Sequence, residues 1–478
     1  MRFFNAVPPV MTVMVMWLAV SSVRGGIMFT NLLSFTGTNG SYPGADPYCG
    51  LTPGADGNFY GTTSQGGSNG LGTVFSVTPG GAFTSVVSFN GTNGANPYAA
   101  LVRGSDNNLY GTTFAGGVNN RGTIFLITTN GAFTNLFSFP GTDNTDQGAN
   151  PGAALVQTGD GSFYGTAEYG GLTNASYRGH GYGTIFRLTT DGTVTVPVVF
   201  GNTNGAHPTG GLTLGADGNF YGTTTYGGNG INDSFPGYGT VFKMTPDGTL
   251  TNLYFFTGFN DGGFPYADLL EGNDGNFYGS TTSGGTNQLG TVFSIAPGGQ
   301  FKSLYSFMSS SVGGYPIGAL VQGSDGNFYA TTYIGGANQF GTIFEMTAKG
   351  NLTPLISFSG TTGPSPGANP QGALVQGTDG NFYGTTSLGG ANGLGTIFRL
   401  SVPMPAVFKA ITLTNGTAML TWSAVAGQTY QVQYSDDLTR TNWSILTKPT
   451  VATNGVMTAT DFNDIAASAQ RFYRVVLE

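Results

Sequence analysis

Short segments of alternating apolar and small or polar residues, separated by glycine-rich turns, fill most of the first 400 residues. Alternation over so few residues is typical of half-buried β-strands. Four segments recur in a fixed order: a short apolar segment A such as 319–322, a segment B reading Phe-Tyr-Gly-Thr-Thr, a segment C reading Gly-Thr-Ile/Val-Phe, and an apolar segment D. This order predicts repeated units of four antiparallel strands.

Segment B recurs seven times, and its tyrosines are Tyr60, Tyr110, Tyr164, Tyr221, Tyr278, Tyr329 and Tyr383. Their spacing of about 54 residues lies in the range of propeller blades and solenoid turns. An Asp-Gly pair precedes six copies and Asp106-Asn107 precedes the other. Such pairs between apolar segments predict tight β-hairpins between A and B.

The D segments are offset from the others along the chain. Six of them follow a C segment, at 83–89, 133–139, 194–200, 250–256, 301–307 and 352–358, whereas the seventh stands at the amino terminus, at 29–35. A closed ring needs this offset, because an amino-terminal D strand beside the last ABC unit completes a blade and hides the sheet edges. We therefore predict an all-β fold, with a seven-bladed β-propeller of four-stranded blades over 27–401 that is closed by the amino-terminal strand.

The ends of the chain differ from the repeats. Residues 1–26 combine Arg2 with an apolar stretch too short to span a bilayer, which predicts a signal peptide and a secreted or cell-surface protein. Residues 402–405 contain two prolines and predict a linker. Residues 406–478 lack the repeat and alternate around Trp422, which predicts a small fibronectin-III-like β-sandwich.

Composition and charge exclude several classes of function. The net charge of −8 lacks the basic footprint of a nucleic-acid-binding protein. Cys49 is the only cysteine, so no intrachain disulfide can form, and we interpret it as a small core residue. We find no catalytic motif or metal-ligand spacing, and expect no catalytic residue, metal or cofactor. The aspartates of the A–B turns are explained by the hairpins themselves, although calcium binding there is the alternative.

The repeat resembles the GloVer (Gloeo_Verruco) tandem-repeat family, whose unit reads Asp-Gly-Asn-Phe-Tyr-Gly-Thr-Thr, then Gly-Gly, Gly-Thr-Ile-Phe and an apolar strand ending in Phe. The likeness covers about 370 residues and all seven copies. It implies an exported bacterial protein with a propeller-like fold. It implies no reaction and brings no catalytic residue.

Strand direction divides the turns between two faces. The A–B and C–D turns share one face, whereas the longer B–C and D–A loops share the other, and variable loops on a rigid scaffold are where binding residues concentrate. A proline opens every A segment there. The residues that precede these prolines are candidates for lining the mouth of a central channel: Asp46, Asn96, Asn150, His207, Phe264, Tyr315 and Asn369. The alternative is that they only begin strands and bond to turns.

Two neighbouring B–C loops carry insertions that also lie on this face. The first contains Tyr177, Arg178, His180 and Tyr182, and the second contains Asp233, Phe235 and Tyr238. With His207, these side chains could bind a sugar or peptide, or support general acid–base chemistry. The alternative is an elaborated loop that packs on its neighbour.

We interpret the chain as a non-enzymatic binding scaffold, with a polysaccharide or a surface protein as the partner on the loop-rich face. The first alternative is an exported carbohydrate-active lyase or hydrolase at the third and fourth blades, with carboxylates among Asp233, Asp261 and Asp268. The second alternative is a purely structural protein of the cell envelope.

Overall fold

The computed structural model describes residues 26–128, 130–140, 147–172, 181–228, 237–404, 406–414, 417–437, 442–462 and 471–477. Over these residues the chain is all-β and contains no helix. It follows that no helix of the described part is long and apolar enough to cross a bilayer.

The four predicted strands recur in each repeat. The A strands are two residues long, at Thr52–Pro53, Val102–Arg103, Val156–Gln157, Thr213–Leu214, Leu270–Glu271, Val321–Gln322 and Val375–Gln376. The B strands are Phe59–Thr63, Leu109–Thr113, Phe163–Ala167, Phe220–Thr224, Phe277–Thr281, Phe328–Thr332 and Phe382–Thr386. The C strands are Thr73–Val77, Thr123–Ile127, Thr184–Leu188, Thr240–Met244, Thr291–Ile295, Thr342–Met346 and Thr396–Ser401. The D strands are Met28–Ser34, Phe83–Ser88, Phe133–Ser138, Val194–Val199, Leu250–Phe255, Phe301–Ser306 and Leu352–Ser357.

The described repeats form seven four-stranded sheets. In six sheets the hydrogen-bonded order is A-B-C-D along the chain, whereas in the last sheet the amino-terminal strand Met28–Ser34 pairs beside the final C strand. Neighbouring strands are antiparallel, with Gly111 opposite Phe125 as one example. The A strands are shorter than predicted: segment 319–322 keeps only Val321–Gln322 in the ladder, while Leu320 is buried in the core and Ala319 lines a cavity described below.

Aromatic rings of the B strands pack one repeat against the next. Tyr164 lies 4.4 Å from Phe220 of the following repeat, measured between ring centroids. Phe59 of the first repeat and Tyr383 of the last repeat make the same contact at 4.3 Å. The recurring phenylalanines and tyrosines are therefore core residues between repeats, and the sequence motif encodes packing.

The aspartate of the A–B turn organises the hairpin. Asp217 accepts hydrogen bonds from the backbone N–H of Asn219 at 3.0 Å, from its side-chain amide at 2.8 Å, and from the hydroxyl of Tyr221 at 2.8 Å. The Asn and Tyr of the motif thus recur because both satisfy this one carboxylate.

The third residue of the B strand is small because the core of its own repeat covers it. A Cβ added at Gly111 would lie 2.5 Å from the Phe125 ring and 2.7 Å from Leu101. The sixth repeat carries Ala330 at this position, where it is buried. One methyl group can therefore be accommodated, but only where the neighbours are arranged for it.

The amino-terminal strand makes the contacts that other D strands make. The N–H of Phe35 donates to the carbonyl of Gly395 at 3.0 Å, just as the N–H of Phe89 donates to Gly72 at 3.0 Å. Phe29 also stacks on Phe398 at 5.3 Å. The first strand in the sequence therefore packs against the last repeat.

The chain divides into two compact units, of which the first comprises Phe29–Val375 and Tyr383–Arg399. The second contains Gln376–Phe382 and Leu400–Glu478. Beyond the repeats it has a sheet of Phe408–Thr414, Thr417–Ser423 and Val456–Asp461, and a second sheet in which Thr429–Ser435 pairs with Ser444–Ile445, Thr450–Val451 and Phe472–Leu477.

The core of this carboxyl-terminal region contains Trp422, only 2% exposed, as predicted for a core residue. Asp461 is fully buried and accepts hydrogen bonds from Arg471 and the Tyr473 hydroxyl, both at 3.0 Å. Two sheets around one core agree with a sandwich, while its fibronectin-III-like identity and the boundaries at 401–406 stay predictions.

Candidate functional site

A cavity of about 430 Å³ lies where all seven repeats contribute residues. In every repeat, residues directly after the proline of the D–A loop line it. Its walls are Tyr48, Cys49, Gly50, Tyr98, Ala99, Ala100, Gly152, Ala153, Ala154, Thr209, Tyr266, Ala267, Asp268, Ile317, Gly318, Ala319, Gln371, Gly372 and Ala373, with Phe114 and Glu168 from the ends of two B strands. We call this the axial cavity.

Apart from Cys49 and Asp268, the second and third residues after each proline are Gly or Ala, because repeats approach closely here. A Cβ added at Gly50 would lie 2.6 Å from the carbonyl oxygen of Ala373, and one added at Gly210 would lie 2.7 Å from that of Ala267. Backbones of the first and last repeats therefore meet at this cavity, as do those of the fourth and fifth.

The first residue after each proline is free to vary, and it differs between repeats: Tyr48, Tyr98, Gly152, Thr209, Tyr266, Ile317 and Gln371. The rings of Tyr48 and Tyr98 meet edge to face at 5.1 Å, and Tyr98 meets Phe114 at 5.1 Å. Tyr266 is 39% exposed, so solvent reaches this wall. These positions give the cavity three tyrosines and four other residues that all differ from one another.

Two carboxylates line the same cavity. Asp268 accepts the backbone N–H of Gly211, and burial raises the pKa of its carboxyl above the usual value. Burial likewise raises the pKa of Glu168, whose Oε1 lies 3.9 Å from Nδ1 of His207. Desolvation disfavours the charged form of a carboxylate, and for these two groups it outweighs the hydrogen bonds with Tyr169 and Gly211, which act to lower the pKa.

The seven residues that precede the prolines are not part of the cavity wall. Every one has a positive φ, between 51° and 58°. In the second repeat the N–H of Asn96 donates to Leu71 of the first repeat at 2.9 Å, its carbonyl accepts the N–H of Phe114 at 3.1 Å, and its side-chain amide donates to Ser64 at 2.9 Å.

The same backbone pair of bonds recurs at the other six positions, and the bond from Asp46 to Leu394 joins the first repeat to the last. The alternative interpretation, in which these residues bond to turns, accounts for their contacts. A role in binding for Asp46, Asn96, Asn150, Phe264, Tyr315 and Asn369 stays a prediction.

The candidates in the inserted loops are only partly described. Tyr177, Arg178, His180, Asp233 and Phe235 lie outside the described residues. Tyr182 is buried in the core between the third and fourth repeats. Tyr238 packs on Phe264, with 5.6 Å between ring centroids.

His207 is 5% exposed, and its ring lies 5.2 Å from Tyr169 and 5.6 Å from Tyr226. It therefore contributes to an aromatic cluster behind Glu168. Asp261 accepts bonds from Thr257 and from the Tyr254 hydroxyl, so its oxygens stabilise its own loop.

The loop-rich face also carries exposed apolar side chains. Short bridges such as Ala95 to Ala115 join each D–A loop to the B–C loop of its repeat, so both sets of loops lie at one end of the sheets. Large hydrophobic residues exposed in these loops, in addition to Tyr266 and Tyr315, are Val118, Leu172, Phe259, Met308, Phe340 and Leu388. This concentration favours the loop-rich face as the binding face.

Reasoning from the sequence missed the tyrosines after the prolines and Glu168 as wall residues. A signal was present: the residue after the proline varies strongly between repeats whose next two residues are mostly Gly or Ala. Of the predicted carboxylates that the structure describes, Asp268 is found in the cavity wall and Asp261 is not.

Comparison with solved structures gives distant likenesses. The BP39L lectin from Burkholderia pseudomallei superposes with a TM-score of 0.50 at 10% identity, covering 76% of this chain and 98% of the lectin. The extracellular domain of a hybrid two-component system from B. thetaiotaomicron gives 0.49 at 12% identity, covering 91% of this chain but 53% of that chain, so this protein spans about half its length. A gluconolactonase from Xanthomonas campestris gives 0.42 at 13% identity, with 84% and 96% covered. Identities this low concern the fold alone.

No curated protein matches the sequence. The model of the Gloeobacter/Verrucomicrobia repeat matches three overlapping stretches, 20–177, 55–234 and 232–435. Together these stretches contain all seven repeats and most of the chain. The protein belongs to the Gloeobacter/Verrucomicrobia repeat family.

Proposed function

We propose that this protein is an exported or cell-surface binding scaffold without enzymatic activity, and that it holds a carbohydrate in the axial cavity. The observation that carries the proposal is the cavity itself: seven repeats of one design converge on it, yet they present five different residue types directly after their prolines. Its volume of about 430 Å³ lies within the range of small-molecule sites.

The scaffold of this proposal is a closed seven-bladed β-propeller. Three kinds of contact between the first and last repeats support closure: the Phe59–Tyr383 ring contact, the Asp46–Leu394 hydrogen bond, and the pairing of Met28–Ser34 in the last sheet. A closed ring keeps the seven wall positions at fixed distances, which pre-organises a site.

A carbohydrate suits the chemistry of the wall. Tyr48, Tyr98 and Tyr266 combine flat apolar rings with hydroxyl groups, while Gln371 and Thr209 add neutral polar groups. Aromatic surface with a few polar groups is the usual composition of a small-ligand site. Export is proposed from residues 1–26, and the carboxyl-terminal module would space the scaffold from a surface.

A second candidate is an exported hydrolase or lyase, favoured by the presence of two carboxylates, Glu168 and Asp268, in one cavity. Glycoside hydrolysis uses such a pair on either side of the scissile bond. The scaffold is preferred because the chain presents no recognised catalytic motif around them.

The test is a titration of the purified full-length protein with a panel of oligosaccharides, followed by calorimetry and by product analysis. The variant Tyr266→Ala removes an exposed ring of the wall, and we expect its affinity to fall about tenfold, equivalent to about 1.4 kcal/mol. The matched control is Tyr315→Ala, because Tyr315 is 37% exposed on the same face but lies outside the wall.

Equal losses in both variants would place the ligand outside the axial cavity. Release of products that stops in Glu168→Gln would establish the hydrolase or lyase instead. Absence of binding and turnover across the panel would favour a structural protein, and binding to surface proteins alone would replace the carbohydrate.

A further inference from the structure

The two carboxylates of the axial cavity are departures from the repeat. At the position of Asp268 the other six repeats carry Gly50, Ala100, Ala154, Gly211, Ala319 and Ala373. At the position of Glu168 they carry Ser64, Phe114, Thr225, Thr282, Tyr333 and Ser387. Because six repeats build the same turns without a carboxylate, neither acid is required by the fold.

Room for Asp268 is made by the adjacent repeat. A Cβ added at Gly211 would lie 3.2 Å and 3.3 Å from the two carboxylate oxygens, and the Gly211 N–H donates to one of them. Four repeats have alanine where Gly211 stands. The Asp268 carboxylate thus fits because Gly211 has no side chain, and the hydrogen bond from the Gly211 N–H orients it.

The cavity wall contains no lysine or arginine among its described residues. The basic group that faces Glu168 is His207, at 3.9 Å, and the other groups near Glu168 are the tyrosines Tyr98, Tyr169 and Tyr266. Ordinary pairing would place an Arg or Lys beside each acid. Within the described wall the two acids therefore have no lysine or arginine as a partner, and a cationic ligand would favour their charged forms.

Aromatic rings occupy the same wall. Tyr48, Tyr98 and Phe114 form a chain of edge-to-face contacts at 5.1 Å, and Tyr266 lies two residues before Asp268. The face of an aromatic ring attracts a cation, and carboxylates add a direct charge partner. An anionic ligand, such as a uronic acid, would meet repulsion from both acids.

We propose that the axial cavity selects a ligand with a protonated amino group, namely an amino sugar with a free amine, through Glu168 and Asp268. This inference rests on the proposed function and deepens it by naming the class of sugar. The carboxylates would supply the charge partners, and the tyrosines would cover the sugar ring.

The experiment titrates the full chain at pH 7 with three matched disaccharides: chitobiose with free amines, its diacetylated form, and cellobiose. A fourth ligand, n-butylamine, carries the charge without the sugar. We expect chitobiose to bind at least tenfold more tightly than either neutral disaccharide. Two variants replace each acid by the residue that another repeat has at the same position: Asp268→Ala, as at Ala319, and Glu168→Ser, as at Ser64.

Each variant is expected to reduce chitobiose affinity about tenfold and to leave cellobiose affinity unchanged. The control Phe462→Ala, which removes an exposed ring of the carboxyl-terminal region, is expected to keep both affinities. Equal affinity for all three disaccharides, or tighter binding of the neutral pair, would overturn the charge selection and leave the carbohydrate scaffold in place. Binding of n-butylamine without any disaccharide would keep the charge selection and overturn the carbohydrate. If none of the four binds, both proposals are overturned.

Discussion

Closure of the ring can be tested by one substitution in the amino-terminal strand and its counterpart inside the array. Phe35 and Phe89 are both fully buried at the end of a D strand. Phe35 lies 5.4 Å from Phe75 and 6.2 Å from Phe83, and Phe89 lies 5.5 Å from Phe125 and 6.1 Å from Phe133. The two phenylalanines are therefore in nearly identical environments, although one stands near the end of the chain.

Truncation of a fully buried phenylalanine to alanine costs about 3–5 kcal/mol, since the lost transfer energy adds to that of the cavity left behind. In a closed ring, Phe35→Ala and Phe89→Ala should cost the same within about 1 kcal/mol. In an open array the amino-terminal strand could detach at little cost, so that Phe35→Ala would be much the milder change.

The assay is urea denaturation of both variants beside the parent, with amide hydrogen exchange as a second measurement. The amides of Phe35 and Phe89 donate equivalent hydrogen bonds of 3.0 Å, to Gly395 and Gly72. We expect equal protection of the two amides, because terminal segments that fray exchange with almost no barrier. A cost near zero for Phe35→Ala, or an amide at Phe35 that exchanges orders of magnitude faster, would refute closure.

Two further predictions concern packing and pH. Gly111→Ala should lower the free energy of unfolding, measured in urea, by about 1–3 kcal/mol, because the added methyl group overpacks against Phe125. The control is Gly159→Ala, where nothing lies within 4 Å of the added Cβ, and it should change this free energy by less than about 0.5 kcal/mol. Equal effects of the two substitutions would contradict the packing argument. Hydrogen bonds from Thr158 and Ser162 lower the pKa of Asp160 to about 2, so its contribution is present above the unfolded-state pKa of about 3.9 and is lost as pH falls towards 2. Asp160→Asn should therefore lower the free energy of unfolding at pH 6 by less than about 1 kcal/mol, since the side chain is 54% exposed. The difference should shrink as the pH falls through the folded-state pKa of about 2 and vanish below it. A difference that is constant with pH would show that the carboxylate charge is not responsible.

The strand pattern and the hairpins could be predicted from the sequence because they depend on neighbours within a few residues. The Asp-Gly-Asn-Phe-Tyr motif contains both the turn and the groups that satisfy it, as Asp217 with Asn219 and Tyr221 illustrates. The D-strand offset likewise predicted that the amino-terminal strand would pair with the last repeat, and the sheet order agrees.

The structural role of the residues before the prolines could not be predicted from the sequence. Their place in every repeat predicts a channel mouth, and that role stays a prediction. The structure adds that a positive φ and two backbone bonds place them at the joints between repeats, as at Asn96. The proline that follows marks the bend, and the side chain that enters the cavity is the next one along. Which loop residue faces the cavity, the one before the proline or the one after it, depends on the backbone conformation, which a sequence motif does not reveal.

The sequence alone determined the repeat, its four strands, the packing role of the recurring tyrosines and the family of the protein, because each of these is repeated seven times and encoded locally. Only the tertiary structure decided which unrepeated residues meet. Tyr48, Glu168, Asp268 and Gln371 belong to four different repeats, and they line one cavity because small residues let the backbones converge there. That convergence depends on the geometry between repeats, to which every repeat contributes and which no single copy specifies.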